Sequence, residues 1–152
     1  MKNPLKKSLA LKEYERNGKS FVIIIFDIDD FKYINDTFGH LAGDEILRSI
    51  ARVSTGIIRS TDILSRWGGE EFLLLINDCD IDTGFDIAEK IRNAVDNDTV
   101  HFNENEIMYS ISLGVTGNVK GDEINDLLSR ADEALYEAKR NGKNRTVRRM
   151  KE

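Results

Sequence analysis

Two stretches carry residue types whose spacing suits chemistry. Arg66-Trp67-Gly68-Gly69-Glu70-Glu71-Phe72 sets adjacent carboxylates directly after a glycine pair, and Asp27-Ile28-Asp29-Asp30 places three acids within four positions. A hard cation such as Mg²⁺ takes carboxylate and carbonyl oxygens and completes its octahedron with water and substrate phosphates. Asp27, the carbonyl of Ile28 and a glutamate of the second stretch could supply such a set. That stretch lies between the apolar runs Asp62–Ser65 and Phe72–Ile76, which read as the strands of a hairpin. Alternation along a strand points Glu70 and Glu71 to opposite faces, so one can serve a site while the other is held elsewhere. The glycines allow positive φ and let a backbone or ligand approach closely. If the hairpin pairs beside the strand that ends at Asp27, its turn reaches the same end of the sheet. The plain alternatives are a Gly-Gly turn with solvated acids, and Asp29 or Asp30 capping the next helix.

Further polar residues fall around these acids. Lys32, Lys139 and Lys143 are candidates to neutralise phosphates, or simply surface lysines. Asn35 and Asp44 flank a helix–helix junction containing Gly39 and Gly43. A carboxylate there can accept from guanine N1–H and N2–H, and an amide can both donate and accept; local capping by Asn35 or Asp36 is the other reading. No Ser/His/Asp or Cys/His set and no Walker-type phosphate loop occurs.

The elements that must position these residues follow from hydrophobic patterning. Residues up to about Asn17 read as a polar helix, ended by Gly18. Phe21–Phe26 is an unbroken apolar run, the mark of a strand covered on both faces. A short helical turn spans Phe31–Phe38, and helix spacing runs from Leu41 to Ile58. After the hairpin, Asp82–Val95 is amphipathic. Glu106–Val119 reads as one strand, paired with a short one near Thr99–Phe102. The last helix runs from about Asp122 to Arg140 and stops at Gly142. The order predicts one α/β domain with a mixed central sheet flanked by helices.

The chain has 152 residues, 32% charged and 40% apolar, with a net charge of -5, the balance of a folded domain rather than a disordered chain. The acidic balance argues against nucleic-acid binding, and the basic residues crowded after Arg140 read as a solvated helix end and tail. A single cysteine, Cys79, excludes a disulfide framework. No apolar run is long enough to span a bilayer and no signal-peptide core is present, so a cytoplasmic setting is expected.

The run Phe26-Asp27-Ile28-Asp29-Asp30-Phe31-Lys32-Tyr33-Ile34-Asn35-Asp36-Thr37-Phe38-Gly39-His40, followed by Gly43-Asp44, resembles the signature of GGDEF domains, the diguanylate cyclases. The Gly68–Phe72 loop is similar to their eponymous motif in its GGEEF form. Ser112-Leu113-Gly114-Val115 and Ala131–Lys139 match two further family blocks, so the resemblance covers about Phe21 to Asn144. It implies a fold like the nucleotidyl cyclase and polymerase palm domains, with an N-terminal helical segment over 1–18, the catalytic domain over 19–145 and a basic tail over 146–152. It implies synthesis of cyclic di-GMP from two GTP, with release of two pyrophosphates, at the interface of a transient or obligate homodimer. Glu70, Glu71 and Lys32 would be catalytic. Asp27, the Ile28 carbonyl and Glu70 would hold Mg²⁺, with Mn²⁺ as an alternative. Asn35, Asp44, Phe31, Gly68, Gly69, Lys139 and Lys143 would bind substrate. Arg59-Ser60-Thr61-Asp62 fits the family's inhibitory R-x-x-D motif, which places product binding at Arg59 and Asp62; an ordinary Arg–Asp pair is the other reading. A non-catalytic receptor for GTP or cyclic di-GMP is the alternative function. Two departures stand out. The family usually opens with a D-x-L-T-G-L-x-N-R-R block, of which only Asn3-Pro4-Leu5-Lys6-Lys7 could be a worn or truncated remainder, and Lys143 replaces the usual arginine after the last helix.

Overall fold

The computed structural model describes residues 17–152; the helix expected before Asn17 lies outside them. The chain begins its sheet with β1 (Val22–Ile28), whose seven residues are all buried, as a doubly covered strand requires. Two helices follow, α1 (Phe31–Phe38) and α2 (His40–Thr55), separated at Gly39. The hairpin forms as β2 (Ile63–Arg66) and β3 (Glu71–Ile76), and α3 (Ile81–Asp96) comes next. The remaining elements are β4 (Thr99–Phe102), β5 (Asn105–Met108), β6 (Ile111–Gly117), α4 (Ile124–Arg140) and β7 (Thr146–Arg148).

The main sheet has the order β2-β3-β1-β6-β7. All its pairs are antiparallel except β6–β7, so the sheet is mixed, as expected. Alternation along β1 divides the core in two. Val22, Ile24, Phe26 and Ile28 pack with Ile46 and Ile50 of α2 and Ala88 and Ile91 of α3. Ile23 and Ile25 face the other way, onto Leu127, Ala131 and Leu135 of α4. Contact between α4 and the sheet is close at Gly114, where a Cβ would overlap the Ala131 carbonyl oxygen and the Leu135 amide nitrogen. Arg130 of α4 reinforces the seam: it grips the buried Asp122 carboxylate with two nitrogens (2.9 and 2.6 Å) and donates to Thr116 Oγ1 and the Gly117 carbonyl, both at 3.0 Å.

Two expectations are corrected. Glu106–Val119 is not one strand but β5 and β6, and β5 pairs with β4 as a separate hairpin turned by Asn103 at φ 55°. The break at Tyr109-Ser110 follows from tertiary demand: the Ser110 carbonyl accepts from the Asp29 amide at 2.9 Å. The residues expected as a solvated tail contain β7, which aligns Thr146 with Leu113 and Arg148 with Val115. The arginines of this segment are used: Arg148 at the end of β7 lies over the Phe85 ring at 4.9 Å and pairs with Asp82 at 2.6 Å, and Arg149 just after it reaches Glu133 at 2.9 Å. Among the described residues no helix is long and apolar enough to cross a membrane.

Because the Gly114 contact is backbone on backbone, no side chain can yield there. Gly114→Ala is expected to destabilise the fold by about 1–3 kcal/mol or more, read as a lower urea midpoint, with Gly69→Ala, in open space and without a positive φ, costing less.

Candidate active site

At the exit of β1, Asp27 lies in register with Glu71 of β3 on one side and Ser112 of β6 on the other. The hairpin therefore does sit beside the central strand, and its turn reaches the same end of the sheet. The turn is docked there by its backbone, since the Ile28 amide donates to the Glu70 carbonyl at 3.4 Å. It is closed by the Trp67 and Gly68 amides, which donate to the Glu71 carbonyl at 2.7 and 3.3 Å. Arg66 braces it from outside, donating to the Gly68 carbonyl at 3.1 Å and to the Gly69 carbonyl at 2.6 Å. Neither glycine has the positive φ that would exclude other residues. Their use is space: a Cβ at Gly69 would meet nothing within 4 Å, and one at Gly68 only the Glu71 Cβ at 4.0 Å. The turn is open to an approaching ligand.

Asp27 is 5% exposed. One carboxylate oxygen accepts from Lys139 Nζ, while Oδ1 is buried with no hydrogen-bond partner. Burial raises the Asp27 pKa above the ordinary carboxylate value; Lys139 works against this, and the charges of Glu70 and Asp29 push the same way as burial. A buried carboxylate with an unsatisfied oxygen is costly unless a cation or donor completes it. The chemistry of the donor set suits a hard divalent cation. Among the described residues no three His, Cys, Asp or Glu side chains form a ready-made cage. That is compatible with Mg²⁺, which commonly takes only one or two carboxylates and shares the rest of its shell with water and phosphates.

The other two acids divide the remaining work, and neither caps α1, whose N-cap residue Asp30 is left-handed and makes no side-chain cap bond. Asp29 is 5% exposed and accepts from Ser112 Oγ (2.6 Å), Ser110 Oγ (2.7 Å) and the Asn144 amide (3.0 Å). Asp30 pairs with Lys143 at 2.6 Å, which raises the Lys143 pKa. Lys143 and Asn144 are held at φ 65° and 46°, a turn that folds the end of α4 back onto the Asp29–Asp30 loop after β1. Asn144 continues the tie to α3, donating to Asp96 at 3.1 Å and accepting from Arg92 at 3.1 Å. Sequence reasoning left this latch unassigned; Ser110 and Ser112, alternating along an otherwise apolar strand, were its only trace.

Asn35 and Gly43 meet where α1 packs on α2, and Asn35 Oδ1 is buried there with no partner. Asp44, the next residue, is exposed and lines a groove of about 390 Å³ with Leu47, Leu64, Arg66 and Phe72. Phe31 is buried beside Gly43, and Lys32 stands exposed on α1. Arg59 and Asp62 lie apart, at the end of the hairpin away from the glycine turn. Asp62 is buried and accepts from the Arg59 amide (2.9 Å), the Asn77 amide (3.1 Å) and the Arg59 guanidinium (3.3 Å), leaving the arginine side chain 54% exposed.

The family profile described as "Diguanylate cyclase, GGDEF domain" matches residues 1–145. Diguanylate cyclase A of Treponema denticola is 40% identical over 126 residues, covering 82% of this chain and 34% of that protein. A diguanylate cyclase of Vibrio cholerae is 42% identical over 137 residues, covering 90% of this chain and 42% of its own length. The chain thus spans well under half of these curated relatives. Among solved structures, the active GGEEF domain of a Vibrio cholerae diguanylate cyclase superposes with a TM-score of 0.88 at 34% identity, covering 95% of this chain and 92% of that one. The GGDEF domain of DgcB from Caulobacter crescentus, in complex with c-di-GMP, superposes with a TM-score of 0.91 at 29% identity, covering 94% and 83%.

The raised pKa of Asp27 fixes the sign of a stability effect. The folded state binds its proton more tightly than the unfolded chain, so stability is greatest below the unfolded pKa and declines as pH rises through the folded value. Asp27→Asn, which imitates the protonated form, is expected to raise Tm near neutral pH without added metal. Thermal melts should show the gap closing on acidification; a lower Tm at every pH would contradict burial as the dominant effect.

Proposed function

This chain belongs to the GGDEF domain family, and from that premise we propose that it is a diguanylate cyclase, condensing two GTP into cyclic di-GMP with release of two pyrophosphates. The observation that carries the reading is the buried Asp27, with one oxygen unsatisfied, register-locked to Glu71 and docked against the Gly68–Glu71 turn. Asp27 Oδ1, the Ile28 carbonyl and Glu70 would hold Mg²⁺ or Mn²⁺. When bound, the cation supplies charge neutralisation to the triphosphate and the leaving pyrophosphate.

The chain's own residues bind and orient. Asn35 and Asp44, with Phe31 behind them, hold the guanine. Lys32 and Lys143 reach the phosphates. Lys143 does so as a point charge, without the bidentate grip of the arginine usual at its position. Lys139 donates to the other Asp27 oxygen, Oδ2, and from that position would neutralise phosphate beside the carboxylate. The open faces of Gly68 and Gly69 admit the nucleotide against the backbone, and Glu71 assists from the strand beside Asp27. Each copy of the chain holds one GTP, so two copies must face each other. The 3′-hydroxyl of one GTP attacks the α-phosphorus of the other, the bond to pyrophosphate breaks, and the reverse attack closes the ring. Positioning and charge neutralisation supply most of the effect.

Cyclic di-GMP binding at Arg59 and Asp62 provides product inhibition. In support, the guanidinium is half-exposed and held by a buried carboxylate, a form suited to guanine or phosphate, and a related GGDEF domain is solved with c-di-GMP.

Incubation of the chain with GTP and Mg²⁺ should give cyclic di-GMP by chromatography, and Glu70→Ala should reduce its rate by about 10²-fold or more. Undiminished product in the variant would remove Glu70 from the site. No product from wild type that still binds GTP or cyclic di-GMP would favour a receptor. Arg59→Ala should lift the plateau that product imposes on the time course; an unchanged plateau would refute the inhibitory role.

A further inference from the structure

We infer that Gly43, which has no side chain to touch a nucleotide, is a specificity-determining residue that acts by leaving room for the Asn35 amide. The inference rests on the reading of Asn35 as a guanine contact and names what that contact depends on. A Cβ at Gly43 would overlap Asn35 Oδ1 and lie 3.0 Å from Asn35 Cγ and 3.1 Å from Phe31 Cζ. The Asn35 backbone is held within α1, where its carbonyl accepts from the amide of Gly39, the helix C-cap, at 2.8 Å. Only the side chain can swing away, and that withdraws the oxygen from the junction.

The backbone itself does not ask for glycine here; the Asn35 side chain and the Phe31 ring packed against it do. Gly43 lies within α2, without the positive φ that excludes other residues, and alanine is the better helix former in such a position. What glycine permits is a buried acceptor with no donor, an arrangement a protein retains at a cost unless a ligand supplies the missing N–H. Guanine offers N1–H and the 2-amino group on one edge. Hypoxanthine lacks the 2-amino group, and adenine presents an acceptor at N1 and only C–H at C2. A site whose polar atom is left unpaired by the wrong base rejects that base. Gly43 therefore shapes selectivity through Asn35, and Phe31 closes the other side of the same gap.

Binding of GTP, ITP and ATP, each with Mg²⁺, is measured by calorimetry on wild type, Gly43→Ala, Asn35→Ala and the double variant. Wild type should prefer GTP. Gly43→Ala should bind GTP about tenfold more weakly and lose most of the preference over ITP, while still unfolding in one cooperative transition. In the Asn35→Ala background the same substitution should have a much smaller effect, since no oxygen is left to displace and only the Phe31 ring remains close to the new Cβ. Wild-type selectivity in Gly43→Ala, or an equal loss in both backgrounds, would overturn the inference. The Asn35 side-chain amide resonance, read without nucleotide, should shift in Gly43→Ala; an unshifted signal would overturn the inference alone. Wild type that binds GTP no better than ATP would instead defeat the guanine reading itself, and the inference with it.

Discussion

A carboxylate held under cover at the end of the central strand is the constraint on which this structure turns. β1 is buried along its whole length, so the side chain that ends the buried face, Asp27, is desolvated along with the apolar ones before it. Desolvation outweighs the nearby lysine in setting its pKa, and one oxygen is left without a partner. Such a group persists when its function needs it, because apolar replacement would be kinder to the fold. The neighbouring strands are placed around it. Phe26 stacks on Phe72 at 5.2 Å on one face, and that pairing fixes the register by which Glu71 stands opposite Asp27.

Around that carboxylate the charged residues take separate duties. Asp29 is fully used as a structural acceptor, tying β6 and the turn after α4 to the loop that follows β1. Asp30 and Lys143 make an exposed pair, the kind that adds little stability and is free to open. Arg66 braces the carbonyls of Gly68 and Gly69. The site is thus a rigid frame of backbone and buried polar bonds, with its exchangeable charges on the outside.

The glycines divide in the same way. Gly114 lets α4 lie directly on β6, and Gly43 clears space for Asn35, so both serve close approach within the protein. Gly68 and Gly69 meet almost nothing, which leaves their approach face to a ligand. One residue type fulfils opposite purposes, and only the surroundings tell them apart.

The sequence by itself determined the central strand, the helices at their 3.6-residue spacing, the hairpin and its motif, because burial and turn formation are local in pattern. It also identified Asp27, Glu70, Glu71, Asn35 and Asp44 as residues whose types fit metal and guanine chemistry. The tertiary structure decided the rest. It split Glu106–Val119 into strands of different sheets, since pairing partners are set by what lies alongside and not by the run of residues. It drew β7 out of a basic tail, where three residues with little apolar character form a strand only because the edge of β6 offers hydrogen bonds. It separated three similar aspartates into a buried carboxylate with one unpaired oxygen, a structural knot and a surface pair. Distances between residues far apart in the chain carry that distinction, and the sequence holds no record of them.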